Sequence, residues 1–340
     1  MTTINRRKYN EGVEVSTCGK LYIAGEYAVL VPGYSAVIKN VNIYMKAFTV
    51  FSDNYKIYSD MYGYSVSLEK NEDYALIQET VNIVNEYLYI KGMEISPFEL
   101  NITGKMEKNG RKYGIGSSGS VVISVIKAMA ELYKFKISKE ELFKLSSYVL
   151  LKRGDNGSMG DLACISYENL IVYTSFDREK IKREMKRRTL IEIMDMNWGY
   201  KIEELKCKEK YEFLVGWTGK PSISKDMINH VKKSINKEFL ENSDKNVYEL
   251  VKGIKSGNSR MLENALNECG KLLKSLDKSI YSNELEKLVN AFEGLEICAK
   301  SSGAGGGDCG IAISFNKSDT AILVERWKKE NIVLLYSSEL

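Results

Sequence analysis

Apolar positions along the chain recur with two periods. Val122, Val125, Ile126, Met129 and Tyr133 fall at helical spacing, as do Ile77, Val81, Val84 and Leu88, a run that Gly92 can end. Ser138-Lys-Glu-Glu141 is a capping-box pattern, and Leu142, Leu145 and Val149 continue it as a helix that stops at Gly154. Two longer stripes follow, one from Leu262 through Ala265, Leu266, Cys269, Leu272 and Leu273 to Leu276, the other over Leu285, Leu288, Val289 and Phe292. Between these helices lie β-branched and aromatic runs. Ser35 to Asn40, Ile43 to Phe51, Lys56 to Leu68, Phe98 to Ile102, a stretch after Asp161 through Tyr173, Phe213 to Trp217, Ile311 to Phe315 and Ile332 to Tyr336 read as strands, with a Pro32-Gly33 turn. Helices and strands mix irregularly, which predicts an α+β fold.

With 340 residues the chain is long enough for two domains. A division near residue 205 is expected, giving 1–205 and 206–340, because a new apolar strand starts after the polar 178–188 stretch. A net charge of +4 is too mild to argue for nucleic acid. No run approaches the roughly 18 apolar residues of a membrane span. The opening Met-Thr-Thr-Ile-Asn-Arg-Arg lacks the apolar core of a secretory signal, and the six scattered cysteines form no C-x-x-C pair, so reduced thiols and a cytoplasmic location are expected. The basic run Lys180, Lys182, Arg183, Lys186, Arg187 and Arg188 reads as a solvated helix face, and the single histidine, His230, as a surface residue.

The candidate chemistry lies in two glycine-rich runs. Gly114-Ile-Gly-Ser-Ser-Gly-Ser120 opens directly onto a helical period, so its backbone can approach a ligand and its first-turn N–H groups suit phosphate. Both it and Gly305-Gly-Gly-Asp-Cys-Gly310 formally match G-x-G-x-x-G. Neither sits in the strand–loop–helix context, with an acid about 20 residues on, that dinucleotide binding requires. A Walker sequence is absent, since Gly219-Lys220 is followed by Pro221.

Three separated motifs together resemble the GHMP kinases, the small-molecule kinases named for galactose, homoserine, mevalonate and phosphomevalonate. They are Lys20-Leu-Tyr-Ile-Ala-Gly-Glu-Tyr-Ala-Val-Leu with Pro32-Gly33, the 114–120 loop, and Lys300-Ser-Ser-Gly-Ala-Gly-Gly-Gly-Asp-Cys-Gly-Ile. The resemblance spans nearly the whole chain. It departs from the general pattern at Ile115, where Leu is usual, at Gly119-Ser120, where Ala-Ala is usual, and at Arg111-Lys112-Tyr113 ahead of the loop. The Gly119-Ser120 departure resembles members whose acceptor is itself a phosphate.

The resemblance implies a two-domain fold, with an N-terminal nucleotide domain like ribosomal protein S5 and a C-terminal ferredoxin-like domain. It also implies ATP as co-substrate with Mg²⁺. Gly114, Gly116, Ser117, Ser118, Gly119 and Ser120 would hold the nucleotide phosphates, with Ser118 as the Mg²⁺ ligand and Lys112 reaching the β/γ-phosphates. Lys20 and Asp161 would be catalytic and paired with each other, Asp155 being the competitor for the second role. The acceptor would meet Lys20, Tyr27, Ser158, Ser222, Ser224, Lys225, Ser302, Gly303, Ala304 and Gly305, with Lys220 a further candidate cation and Asp308 structural. An unphosphorylated acceptor, a phosphorylation-linked decarboxylation and a nucleotide-binding regulator without turnover are the alternatives.

Overall fold

The computed structural model of the chain describes residues 11–222 and 224–340, and the side chains of Ser224 and Lys225 fall outside that description. The expected acceptor contacts of these two residues therefore lie outside the described residues.

The first sheet is built from β1 (Val13–Ala24), β2 (Ser35–Phe51), β3 (Lys56–Ser59), β4 (Ser65–Val66), β5 (Phe98–Thr103), β8 (Ile171–Thr174) and β9 (Lys201–Glu204). Its order is β4-β3-β5-β2-β8-β9, with β1 also paired to β2, and only β3 and β5 run parallel. A small hairpin, β6 (Glu107–Lys108) and β7 (Arg111–Lys112), stands just ahead of the glycine loop. Helices α1 (Ala75–Ile90), α2 (Ser117–Leu132), α3 (Lys139–Lys152) and α4 (Gly160–Tyr167) pack with one another, and α2 and α4 lie on β1 and β2. The helical periods read from the sequence supply the buried faces: Val81, Val84, Val122, Ile126, Leu145 and Val149 are all in the core. The Ser138 capping box forms as expected, with Ser138 Oγ accepting from Glu141 N–H and the Glu141 carboxylate accepting from Ser138 N–H.

Two short helices, α5 (Arg178–Met185) and α6 (Leu190–Asp195), precede β9. The second sheet holds β10 (Glu212–Trp217), β11 (Ile297–Ser301), β12 (Cys309–Ser314) and β13 (Val333–Glu339). Its order, β13-β10-β12-β11, is antiparallel throughout, the ferredoxin-like arrangement of two split β–α–β units. Between β10 and β11 lie α7 (Ser224–Val231), α8 (Lys237–Ser256), α9 (Ser259–Leu276) and α10 (Asn283–Asn290), and α11 (Lys317–Lys329) joins β12 to β13. Helix α9 covers β11 while α8 touches β1 and β2, so one apolar core runs from Ile38 through Trp217 and Leu250 to Ile311.

Two local expectations are corrected. The runs at 35–40 and 43–51 are one long strand, β2, whose partner β1 absorbs the irregularity in register shifts at Cys18/Gly19 and Tyr22/Ala24. The segment after Asp161 is helical to Tyr167 before β8 begins. Leu162, Ala163, Cys164 and Ile165 are all buried, so this helix has no polar face on which a helical period could show.

Candidate active site

Strand β1 brings Lys20 to the glycine loop. The Lys20 N–H donates to the Ile115 carbonyl at 2.8 Å, and the Ile115 side chain is buried against Gly19. Gly116 has φ +89°, and a Cβ there would lie 2.8 Å from Lys20 Cε, so glycine both permits the left-handed turn and admits the lysine stem. Helix α2 starts at the next residue. Its first-turn N–H groups lack intrahelical partners and open on a cavity of about 640 Å³. Ser117 and Ser118 line that cavity, and neither hydroxyl has a hydrogen-bond partner among the described residues. Ser120 differs from them. It is fully buried, its Oγ donates to the Cys18 carbonyl (2.9 Å), and its N–H bonds Gly116 O (3.0 Å). Ser120 anchors α2 to β1 and does not face the cavity, which corrects its place among the nucleotide contacts.

Asp161 enters from the other side, in the first turn of α4. A Cβ at Gly119 would be 3.2 Å from Asp161 Oδ2, so the carboxylate lies against the start of α2 as well, and two helix N-termini converge on it. Burial raises the Asp161 carboxyl above its usual range, with Asp155 adding to the shift. Lys20 and the N–H groups of Leu162 and Asp161 pull it back. Lys20 thus acts on Asp161 through its field. The direct ion pair expected between them is absent among the described residues, and the Lys20 ammonium instead sits 5.2 Å from the Tyr22 ring centroid. The competitor, Asp155, accepts the Gly157 N–H at 2.6 Å and so closes a turn.

Lys112 stands exposed at the rim of the same cavity. Tyr27, Ser158, Ser222, Ser302, Gly303, Ala304 and Gly305 also line it. Their hydroxyls tie the walls together. Tyr27 donates to the Ala304 carbonyl (2.5 Å), Ser302 to the Tyr22 carbonyl (2.8 Å) and Ser222 to the Gly305 carbonyl (2.6 Å), while Ser158 Oγ meets Tyr22 Oη at 2.9 Å. Lys220 is drawn away, its ammonium on Glu284 at 3.2 Å with both groups largely exposed.

Three features were not found from the sequence. Tyr22 forms cavity wall between Lys20 and Ser158, and burial raises its phenol, with the Asp161 charge second. Glu26 and Lys300 form a fully buried ion pair joining the first and third motifs. Helix α5, the supposed solvated face, sends Arg178 Nη2 to the Leu30 carbonyl (2.6 Å) and Lys182 Nζ to the Asp155 carbonyl (3.3 Å), so it buttresses the cavity wall. Isolated motifs carried no signal for the first two. For α5, the i, i+4 spacing of the two cations was the available one.

Burial pushes the Asp308 carboxyl up to about 6, against the pull of the Ser222 N–H, Lys20 and Lys112. The folded state therefore holds this proton more tightly than the unfolded chain, whose value is near 3.8, and stability is lost as pH rises between those values. Asp308→Asn removes that slope. Discounted for partial exposure, the variant is expected to be more stable by about 1 kcal/mol at pH 7, with the advantage vanishing near pH 4. Thermal melting from pH 4 to 7 reads this directly, and parallel wild-type and variant curves would contradict it.

Mg²⁺ in kinase sites is held by few protein oxygens plus substrate phosphates. The free Ser117 and Ser118 hydroxyls suit that mode. Among the described residues no group of three or more His, Cys, Asp or Glu is placed as a dedicated metal cage. No helix among those residues is long and apolar enough to cross a membrane.

Comparisons with known proteins agree with this geometry. Residues 75–169 match the model of the GHMP kinases N terminal domain, and residues 250–333 that of the GHMP kinases C terminal. The solved structure of Streptococcus pneumoniae phosphomevalonate kinase in complex with phosphomevalonate and AMPPNP is 47% identical, covers 96% of this chain and 100% of its own, and superposes with a TM-score of 0.95. A phosphomevalonate kinase of a Streptomyces species is 25% identical over 93% of this chain and 94% of its own length. One from Saccharolobus solfataricus is 26% identical over 95% and 96%. With its two glycine loops meeting at Lys20 and Asp161, and with both family models matched, the chain belongs to the GHMP kinase family.

Proposed function

We propose that the chain transfers the γ-phosphoryl group of ATP to (R)-5-phosphomevalonate, giving ADP and 5-diphosphomevalonate, a step in isoprenoid synthesis. The observation that carries this reading is the near-complete superposition on a 47% identical kinase holding phosphomevalonate and AMPPNP, an ATP analogue.

The chemistry follows from the cavity. An oxygen of the acceptor phosphate attacks the γ-phosphorus as the bond to the β–γ bridging oxygen breaks, and ADP leaves with that electron pair. A phosphomonoester has its second pKa near 6 and is mostly ionised at neutral pH, so the attacking oxygen needs little help from a base. The difficulty is bringing two polyanions together. The α2 N-terminus and Lys112 receive the nucleotide phosphates, and Lys20 meets the charge on the transferred group. Ser118 would hold Mg²⁺, which when bound neutralises phosphate charge. Tyr27, Ser158, Ser222 and Ser302 with Gly303 to Gly305 form the acceptor side.

In this reading Asp161 balances the Lys20 charge through its field and orients the attacking oxygen. Asp161→Asn is expected to lower kcat about 10- to 100-fold, below the range for an obligatory general base, with the KM for ATP within about threefold. Steady-state kinetics check this, and a raised KM at unchanged kcat would reject the role. The substrate assignment is tested by ADP release with mevalonate, 5-phosphomevalonate and 5-diphosphomevalonate in parallel. Only the second is expected to turn over. Turnover of mevalonate alone, or CO₂ release from the third, overturns the assignment.

A further inference from the structure

Asp308 belongs to the third glycine run and lines the cavity, yet the reaction above gives it no part. It holds φ +54°, a left-handed conformation costly for a residue with a side chain though better tolerated by Asp than by most. Its backbone and side chain are fully engaged. The Asp308 N–H donates to the Lys220 carbonyl at 2.7 Å, and its carbonyl accepts from both the N–H and the hydroxyl of Thr218 at 2.9 Å. Its Oδ1 accepts the Ser222 N–H at 3.2 Å. The remaining face of the carboxylate rests on Gly114, the first residue of the nucleotide loop. A Cβ built at Gly114 would lie 2.5 Å from Asp308 Cβ, Cγ and Oδ2.

The neighbouring contacts stitch the same three segments. Arg111 donates to the Gly219 carbonyl (3.1 Å), Trp217 Nε1 to the Lys112 carbonyl (3.3 Å) and Cys309 Sγ to the Tyr113 carbonyl (3.0 Å), and the Tyr113 and Trp217 rings meet edge to face. Each of these bonds runs from a side chain to a backbone carbonyl, and that of Trp217 reaches Lys112 at the cavity rim. Asp308 joins the nucleotide loop to the 218–222 segment at the cavity wall itself, where Ser222 reaches Gly305.

We propose that Asp308 is a positioning residue for phosphoryl transfer: its carboxylate, wedged between Gly114 and the Ser222 N–H, sets the spacing between the nucleotide loop and the acceptor-side segment 218–222. This rests on the proposed reading for its kinetic arm only. Alignment of two phosphates is sensitive to small displacements, about 100-fold in rate for 1 Å. Asn keeps both the shape and the acceptor for Ser222, while Gly removes the wedge without opposing the left-handed backbone.

Asp308→Gly is expected to lower kcat 10- to 100-fold with both KM values within about threefold, and Asp308→Asn to stay within about threefold of wild type throughout. A purely supporting role would lower the melting temperature and leave kcat unchanged below it, which overturns the proposal. Equal loss in Asn and Gly variants also overturns it, since the charge and not the wedge would then matter. The second arm is a double-mutant cycle read by AMPPNP binding. Gly114→Ala, strained at φ +77° in either background, should weaken AMPPNP at least tenfold more in the wild-type background than with Asp308→Gly, because the clashing side chain is gone. Equal effects in both backgrounds overturn the wedge. If Asp308→Gly does not fold, Asp308→Ser, which withdraws Cγ and Oδ2 from Gly114 but keeps Cβ, replaces it, and the Gly114→Ala effect on AMPPNP should still be smaller than in the wild-type background. Absence of turnover with 5-phosphomevalonate would defeat the substrate reading and leave the binding cycle readable.

Discussion

Lys20→Met is expected to reduce kcat about 1,000-fold while AMPPNP binding changes by less than about fivefold. The expectation follows from where the side chain lies. Its stem is packed on Gly116, with Cγ and Cε near the space a Cβ would fill, and the residue is only 9% exposed. Methionine is unbranched and of similar length, so it can keep that packing while removing the charge. What disappears is the cation whose field reaches both Asp161 and Asp308 at the meeting of the two halves of the cavity. The nucleotide would still have the α2 N-terminus and Lys112, so its affinity should survive. Arginine should not rescue the activity, because its planar fork has no room against Gly116 and presents a different donor geometry. Single-turnover kinetics with separately measured AMPPNP affinity distinguish the possibilities. Loss of affinity at unchanged turnover would place Lys20 on the nucleotide and not on the transferred group.

Much of this site was legible because phosphate chemistry writes itself locally. A glycine-rich loop opening onto an amphipathic helix needs only adjacent residues, and the loop before α2 is where the apolar period of Val122, Val125 and Ile126 placed it. Strands β10 and β12 were readable for the same reason, each being a short apolar run. What escaped depends on contacts across more than a hundred residues. Nothing around Gly119 says that its missing Cβ makes room for Asp161, nor that Ser120 turns inward to Cys18. The Gly119-Ser120 departure, a pointer to a phosphorylated acceptor when read from the sequence, is in the structure a packing feature beside Asp161 and Cys18. The acceptor reading therefore rests on the superposition. Likewise Tyr27, Ser222 and Ser302 line the cavity, and their hydroxyls donate to carbonyls of neighbouring loops, a use that only the three-dimensional path of the chain defines.

Lys300→Met should give the largest loss of stability of any single change in the site, about 3–5 kcal/mol. Lys300 is fully buried on β11 and Glu26 is 4% exposed in the turn after β1. The two form an ion pair, and the ammonium also donates to the Ser301 carbonyl at 2.6 Å. Burying such a pair gains little net stability, because desolvation offsets most of the attraction. Removing one partner is different, since it strands the other charge at a nearly fully buried position. The double variant Glu26→Gln/Lys300→Met should accordingly recover most of the loss. That non-additivity is the test. Thermal melting of the two single variants and the double should show the double well above Lys300→Met, whereas summed losses would mean that packing of the lysine stem, and not the pair, matters. The pair also has a place in function. It lies beside the Tyr27 bond to Ala304 and the Ser302 bond to Tyr22, so it fixes the first motif against the third glycine run. A double variant that regains stability but not turnover would show that the buried charges hold the acceptor wall in register. One that regains both would leave the two hydroxyl bonds sufficient for that task.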